Sequence, residues 1–218
     1  MNALNTMLLI SETFVSLCDE MPLKKVSISD IIEQTGKNRK TFYYHFENKD
    51  FLIIWIFRYD LGMMLKESLP ENTLLYEKAS EEDSTSQFPY YMLQKSGVRS
   101  LDHSAFFKCF AKVLEGRRNF YNQALLDNGP YSLRNYMYNL YLPALKNDIK
   151  IILSNRYLPE ENAQFLSEFY TCAFLYYMIR KCDQRHVEGI MDNAGPFANI
   201  IHSSFENEIK EAQLRRNL

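Results

Sequence analysis

Glycine and proline are scarce in this chain, seven of each among 218 residues. A fold of many short strands places such residues at its turns, so their scarcity argues against a β-sandwich or barrel. Tryptophan occurs once, and neither sign of charge dominates. The formal balance is −2, which by itself advertises no polyanionic partner. Long apolar runs are also missing. The run Phe51 to Phe57, for one, is far short of the roughly 20 residues that span a bilayer. The first twenty residues have no basic start and carry Glu12, Asp19 and Glu20, so they do not read as a secretory leader. The four cysteines, Cys18, Cys109, Cys172 and Cys182, make no C-x-x-C pair and no metal spacing. Buried, reduced thiols in a cytoplasmic protein without membrane contact are the expectation.

Motifs of catalysis are absent in the same way. None of the glycines forms G-x-G-x-x-G or a P-loop, and there is no H-E-x-x-H. No Glu-x-x-His of the di-iron bundle kind occurs. The histidines, His45, His103, His186 and His202, are spread out, and Asp183-x-x-His186 reads as charge complementing a helix terminus. No catalytic residue, metal ligand or cofactor is assigned, and no enzyme is expected.

What the chain does have is helical periodicity. With 46 % hydrophobic and 24 % charged residues it is composed like a folded globular protein. A first amphipathic helix ends near Met21-Pro22. Ser27-Ile28-Ser29-Asp30 is a capping signal for a short second helix, which Gly36 closes. Asn38 caps a third, Arg39 to Phe46. A fourth runs from Asn48-Lys49 towards Leu69. Residues 70–87 read as a linker or surface loop. Further helices are expected at about 88–97, 102–116, 118–128, 131–154, 160–182 and 197–214, with Pro143 kinking the long one. The fold class is all-α: an N-terminal three-helix domain, residues 1–48, followed by a helical bundle, residues 49–218.

The segment from Ser27 to Lys49 is the specific one. Two short helices around a glycine turn make a helix-turn-helix, whose second helix enters the major groove of DNA. Phe42 and Phe46 are four apart and share the face that packs inward. Arg39, Lys40, Thr41, Tyr43, Tyr44 and His45 are left to point outwards. Arg39 and Lys40, on the first turn, can bond guanine O6 and N7, and Thr41 can meet a base or a thymine methyl. Tyr43, Tyr44 and His45 suit phosphates or deeper base edges, while Ser27 and Lys49 can hold flanking phosphates. From Pro22 to Lys49 there are six Lys or Arg against three acids, so this region is positive although the chain is not.

Thr41-Phe42-Tyr43-Tyr44-His45-Phe46-x-x-Lys49, with Ile28-x-x-Ile31 and Gly36 before it, resembles the signature of TetR-family transcription regulators. Extended back to Asn38, it looks like the subgroup related to dihydroxyacetone kinase regulators. The resemblance is specific over about residues 4 to 58. It implies phosphate-gripping roles for Tyr43 and Lys49, groove-facing roles for Arg39, Lys40, Thr41, Tyr44 and His45, and a DNA-touching position for Ser29. Two departures stand out. Lys37 follows the turn glycine where the family usually has an apolar residue, its ammonium able to reach DNA over a snorkelling stem, and the first helix lacks the family's usual basic residues.

The resemblance further implies that the remaining two-thirds binds an effector and forms a homodimer. Between Phe165 and Ile179, positions 165, 169, 172, 176 and 179 make one apolar stripe. Leu166, Tyr170, Ala173 and Tyr177 make another. A helix apolar on most sides is buried on most sides, against its own core and a partner. The dimer assignment takes Leu166, Tyr170, Ala173 and Tyr177 with Ile201 and Phe205 of the last helix, although both stripes remain open to core or interface. Phe106, Phe107, Phe110 and Leu114, with Tyr138 and Tyr141, could wall an effector pocket, or serve as core packing. Double-stranded DNA, a second copy and a small-molecule effector are thus the expected partners. The rival reading is an interaction or co-activator module that binds no operator of its own.

Overall fold

A computed structural model describes residues 3–78, 84–97, 99–154, 156–183, 189–190, 207, 209–211 and 213–214. It is mostly helical, and the elements follow from local chemistry. Helix α1, Ala3–Glu20, buries Met7, Ile10, Phe14, Leu17 and Cys18 at three- and four-residue spacing and stops ahead of Pro22. Helix α2, Ile28–Thr35, opens on a full capping box: the Ser27 hydroxyl oxygen accepts from the Asp30 amide, and the Asp30 carboxylate accepts from the Ser27 amide. It closes at Gly36, whose φ of 64° is the left-handed conformation that glycine alone adopts without a Cβ clash.

Asn38 caps α3, Arg39–His45, by accepting from the Thr41 amide at 2.8 Å. Asn48 does the same for α4, Lys49–Ser68, through the Phe51 amide. Helix α4 is the spine of the molecule. Leu52, Ile53, Trp55, Ile56, Phe57, Leu61 and Leu65 are buried around it on more than one face. At Gly62 a Cβ would stand 2.6 Å from the Cβ of Phe88, so only glycine lets the following segment pass.

That segment departs from expectation. Residues 88–97, read above as helix, form strands: Leu74–Leu75 (β1) pairs antiparallel with Tyr91–Met92 (β2), and Lys95–Gly97 (β3) with Ser100–Leu101 (β4). Pro89 disfavours helix for the residue before it, and Tyr91 and Met92 point to opposite sides yet are both buried, a state an extended chain supplies. The 70–87 stretch likewise holds a helical turn at Glu71–Thr73 and strand β1.

Helices α5 (Ser104–Gly116), α6 (Arg118–Ala124), α7 (Leu133–Leu153, running on through Pro143) and α8 (Glu160–Cys182) complete the described bundle. The expected helix 197–214 lies mostly outside the described residues. Among the described residues no helix is long and apolar enough to cross a membrane. One cluster of buried side chains runs from Met7 to Ile190, straight across the expected boundary at residues 48 and 49. Cys18, Cys109 and Cys182 are buried, with the Cys18 thiol pushed up to about 12 by burial, but Cys172 is exposed.

Candidate nucleic-acid interface

Helix α3 is held to its neighbours by Phe42 and Phe46, both fully buried. Phe46 lies edge-on to Trp55 of α4, ring centroids 5.8 Å apart. With that side used, Arg39, Lys40, Tyr43 and Tyr44 are exposed, Tyr44 to 82 %. These four are the sequence-assigned residues that the fold brings together on an open face. A cation pair followed one turn later by two phenols can read base edges and hold phosphates.

The other assigned residues have local work. The Ser27 hydroxyl belongs to the capping box. Asn38 caps α3 and also accepts from the Thr41 hydroxyl at 3.1 Å. Lys37 is half-buried. The His45 ring packs against Tyr44 and Phe46, and burial lowers its pKa. Ser29 accepts a bond from Arg39 Nη2 at 2.6 Å.

Lys49, assigned to a flanking phosphate, has the most intramolecular work. Its ammonium donates to the carbonyl oxygens of Leu23 and Val26, each at 3.0 Å, and so ties the start of α4 to the α1–α2 connection. An ammonium has three donors, and two are directed inward. Lys49→Met is therefore expected to lower folding stability by about 1.5–3 kcal/mol, the range for bonds to a charged group. Urea unfolding followed by circular dichroism reads this without DNA. An unchanged midpoint would return Lys49 to a purely phosphate-facing role.

The helix-turn-helix head is joined to the bundle chiefly by α6 and the residue before it. Arg117 bonds Glu12 of α1 and lies 3.0 Å from Asp60 of α4. Tyr121 donates to Asp60 at 2.7 Å. Asn119 and Gln123 donate to the Cys18 carbonyl at the end of α1, and the Gln123 carbonyl oxygen accepts from the Leu23 amide at 2.7 Å. Burial pushes Asp60 up, while Arg117 and Tyr121 pull it back. Arg118 reaches the other way, to the carbonyls of Lys181 and Cys182 at the end of α8. None of these links was visible in the sequence, because each joins positions 57 to 105 residues apart.

The residues assigned to an effector pocket are packed ring on ring. Phe106, Phe110 and Tyr141 lie with centroids 5.7–5.9 Å apart, and Phe174 closes on Phe110 at 5.1 Å. Phe107 and Leu114 are buried with them, while Tyr138 borders a groove of about 380 Å³ between α7 and α8. Of the assigned dimer residues, Leu166 and Tyr170 are buried in a cluster with Ile149, Ile152 and Ile209, and Ala173 and Tyr177 are half-buried. Ile201 and Phe205 lie outside the described residues. The face of α8 left open carries the other stripe: Phe165, Phe169, Cys172 and Tyr176, all exposed.

A small helix-turn-helix head sits on a helical bundle, and comparison says what such a chain is similar to. Residues 103–203 match the family model TetR_C_8, a transcriptional regulator C-terminal region. The HTH-type dhaKLM operon transcriptional activator DhaS of Lactococcus lactis subsp. lactis (strain IL1403) is 27 % identical over 89 residues. That match covers 34 % of this chain and 48 % of the relative, so the chain spans about half the length of this relative. A solved structure titled dihydroxyacetone kinase operon activator DhaS shares the fold, with a TM-score of 0.54 and 15 % identity over 92 % of this chain and 96 % of that one. The chain is thus similar to transcriptional regulators in its C-terminal region, and to DhaS in part of its sequence and in its fold.

Proposed function

We propose that this regulator reads double-stranded DNA as a homodimer, each copy laying α3 in a major groove. The observation that carries the reading is the split of one short helix. Phe42 and Phe46 are wholly buried, while Arg39, Lys40, Tyr43 and Tyr44 are exposed together. A solvated helix face has no reason to hold two phenols beside two cations. A groove wall bearing acceptors and phosphates has use for all four.

One such helix reads few base pairs, and a two-fold pair matches a palindromic site. The open aromatic stripe of α8 supplies the surface for the second copy. Control by an effector would be geometric: a ligand that favours one arrangement of the bundle shifts the heads through α6, whose bonds reach α1, and α4, whose Lys49 bonds the α1–α2 connection.

Selection of bound duplexes from a random pool tests this directly. Enrichment of a two-fold symmetric site is expected, with affinity falling steeply as salt rises because phosphate contacts release counterions. Arg39→Ala with Lys40→Ala is expected to lose the selected site by at least about tenfold while the dimer persists. Folded, dimeric protein that enriches nothing, or a double variant that binds unchanged, would remove α3 as the reader.

A further inference from the structure

Arg39 and Lys40 are adjacent, exposed and alike in charge, yet the fold treats them differently. Arg39 Nη2 donates to Ser29 Oγ at 2.6 Å, across the turn between α3 and α2. The Lys40 side chain makes no ion pair or hydrogen bond among the described residues. We infer that Ser29 is a positioning residue that aims Arg39 at a base edge, so that Arg39 specifies sequence while Lys40 supplies affinity. This rests on the proposed reading of DNA by α3.

Three observations carry it. First, the acceptor is a neutral hydroxyl, although a carboxylate stands one residue away. Asp30 is engaged by the Ser27 amide and hydroxyl at 2.8 Å each, and those bonds hold its pKa below the usual carboxylate range. A carboxylate on Arg39 would neutralise it and compete with phosphate and base. A hydroxyl fixes the direction of the guanidinium and leaves its charge whole.

Second, the bond uses one of five N–H donors. Four remain, enough for the two-pronged contact to guanine O6 and N7 that makes Arg the commonest specific reader. Third, Arg carries much rotamer freedom, and a side chain ordered before binding loses less on binding. Arg39 sits on the first turn of α3 behind the Asn38 cap, the part of a recognition helix that meets base edges. Ser29 lies outside the Ser27–Asp30 capping box, so its hydroxyl can be removed without uncapping α2.

The test repeats duplex selection with Ser29→Ala, Ser29→Thr, Arg39→Lys and Lys40→Ala, each checked for helix content by circular dichroism. In Ser29→Ala the base preference at one position of each half-site is expected to fall about tenfold, the scale of one two-pronged contact. Its affinity for unrelated duplex should stay within about twofold, since phosphate contacts carry that term. Arg39→Lys should flatten the same position, and the double variant, Ser29→Ala with Arg39→Lys, should lose no more than Arg39→Lys alone. Ser29→Thr, which keeps the hydroxyl, should keep the preference. Lys40→Ala should weaken all sequences alike and lower the salt slope by about one. A Ser29→Ala protein with the parent's base preference, or losses that multiply in the double variant, would overturn the positioning role. If the parent protein selects no duplex at all, the reading of α3 itself falls and this role falls with it, an outcome distinct from parent selection with an unchanged Ser29→Ala.

Discussion

Arg58→Ala lowers the stability of the protein by about 3–5 kcal/mol, the cost of removing one partner from a buried charged network. Arg58 is completely buried on α4. Its Nη1 bonds the Glu77 carboxylate and the Tyr136 hydroxyl, the latter at 2.7 Å. Its Nη2 donates to the carbonyls of Thr85 and Phe88 at 3.2 and 2.7 Å, and the guanidinium lies 5.6 Å from the centre of the Tyr90 ring. One side chain thus holds the segment after α4, with α7 reached through Tyr136. Truncation strands a carboxylate and two carbonyls with nothing to replace the cation, and leaves a cavity beside them.

Arg58→Lys is the informative companion. It keeps the charge but has no planar fork to serve Glu77 and Phe88 at once, so about half of the loss is expected to remain. The variants are compared by urea midpoints, with limited proteolysis reporting cutting between residues 70 and 90. An Arg58→Ala protein within about 0.5 kcal/mol of the parent, the scatter of inconsequential surface changes, would show that the network orders the segment without stabilising the fold.

This network shows where sequence reading stops. The α2–turn–α3 unit was legible because its signals are local: Ser27 with Asp30, Gly36 at φ 64°, and Asn38 three residues before Thr41, whose amide donates to it. The long helices α1, α4, α5, α7 and α8 were legible from periodicity. The strands were not, since Leu74 finds its partner at Met92 and neither short run announces the other. Arg58 did leave a trace, a lone cation directly behind the apolar run Phe51 to Phe57, but the carbonyls that use it come from residues far along the chain. Lys49 and Ser29 were singled out for DNA. The fold gives each an intramolecular bond as well, which spacing along one helix cannot reveal. On α8 both stripes repeat at helical spacing, and only packing against α7 decides which of them stays outside.

That decision makes the second large effect. Phe169→Glu combined with Tyr176→Glu is expected to leave a folded monomer, with self-association weakened at least about a hundredfold, because a carboxylate forced into an apolar interface has no partner and loses its water. Phe165 and Phe169 stack at 6.0 Å, and Tyr176, two turns on from Phe169, borders the groove shared with Tyr138, Leu175 and Ile179. Three aromatics on one helix face, 54–67 % exposed, can each remove over half of an aromatic side chain's about 150–250 Å² from water against a partner, and α8 gains nothing from presenting them to solvent. The changes lie away from Leu166, Tyr170 and Phe174, which pack inward, so helix content should hold. Light scattering after size exclusion reads the mass, and duplex selection should lose its two-fold symmetry because each head then binds a half-site alone. A double variant that remains a dimer would place the second copy on another surface, and the half-buried side of α8 at Ala173 and Tyr177 would then carry the interface despite its partial burial in the monomer.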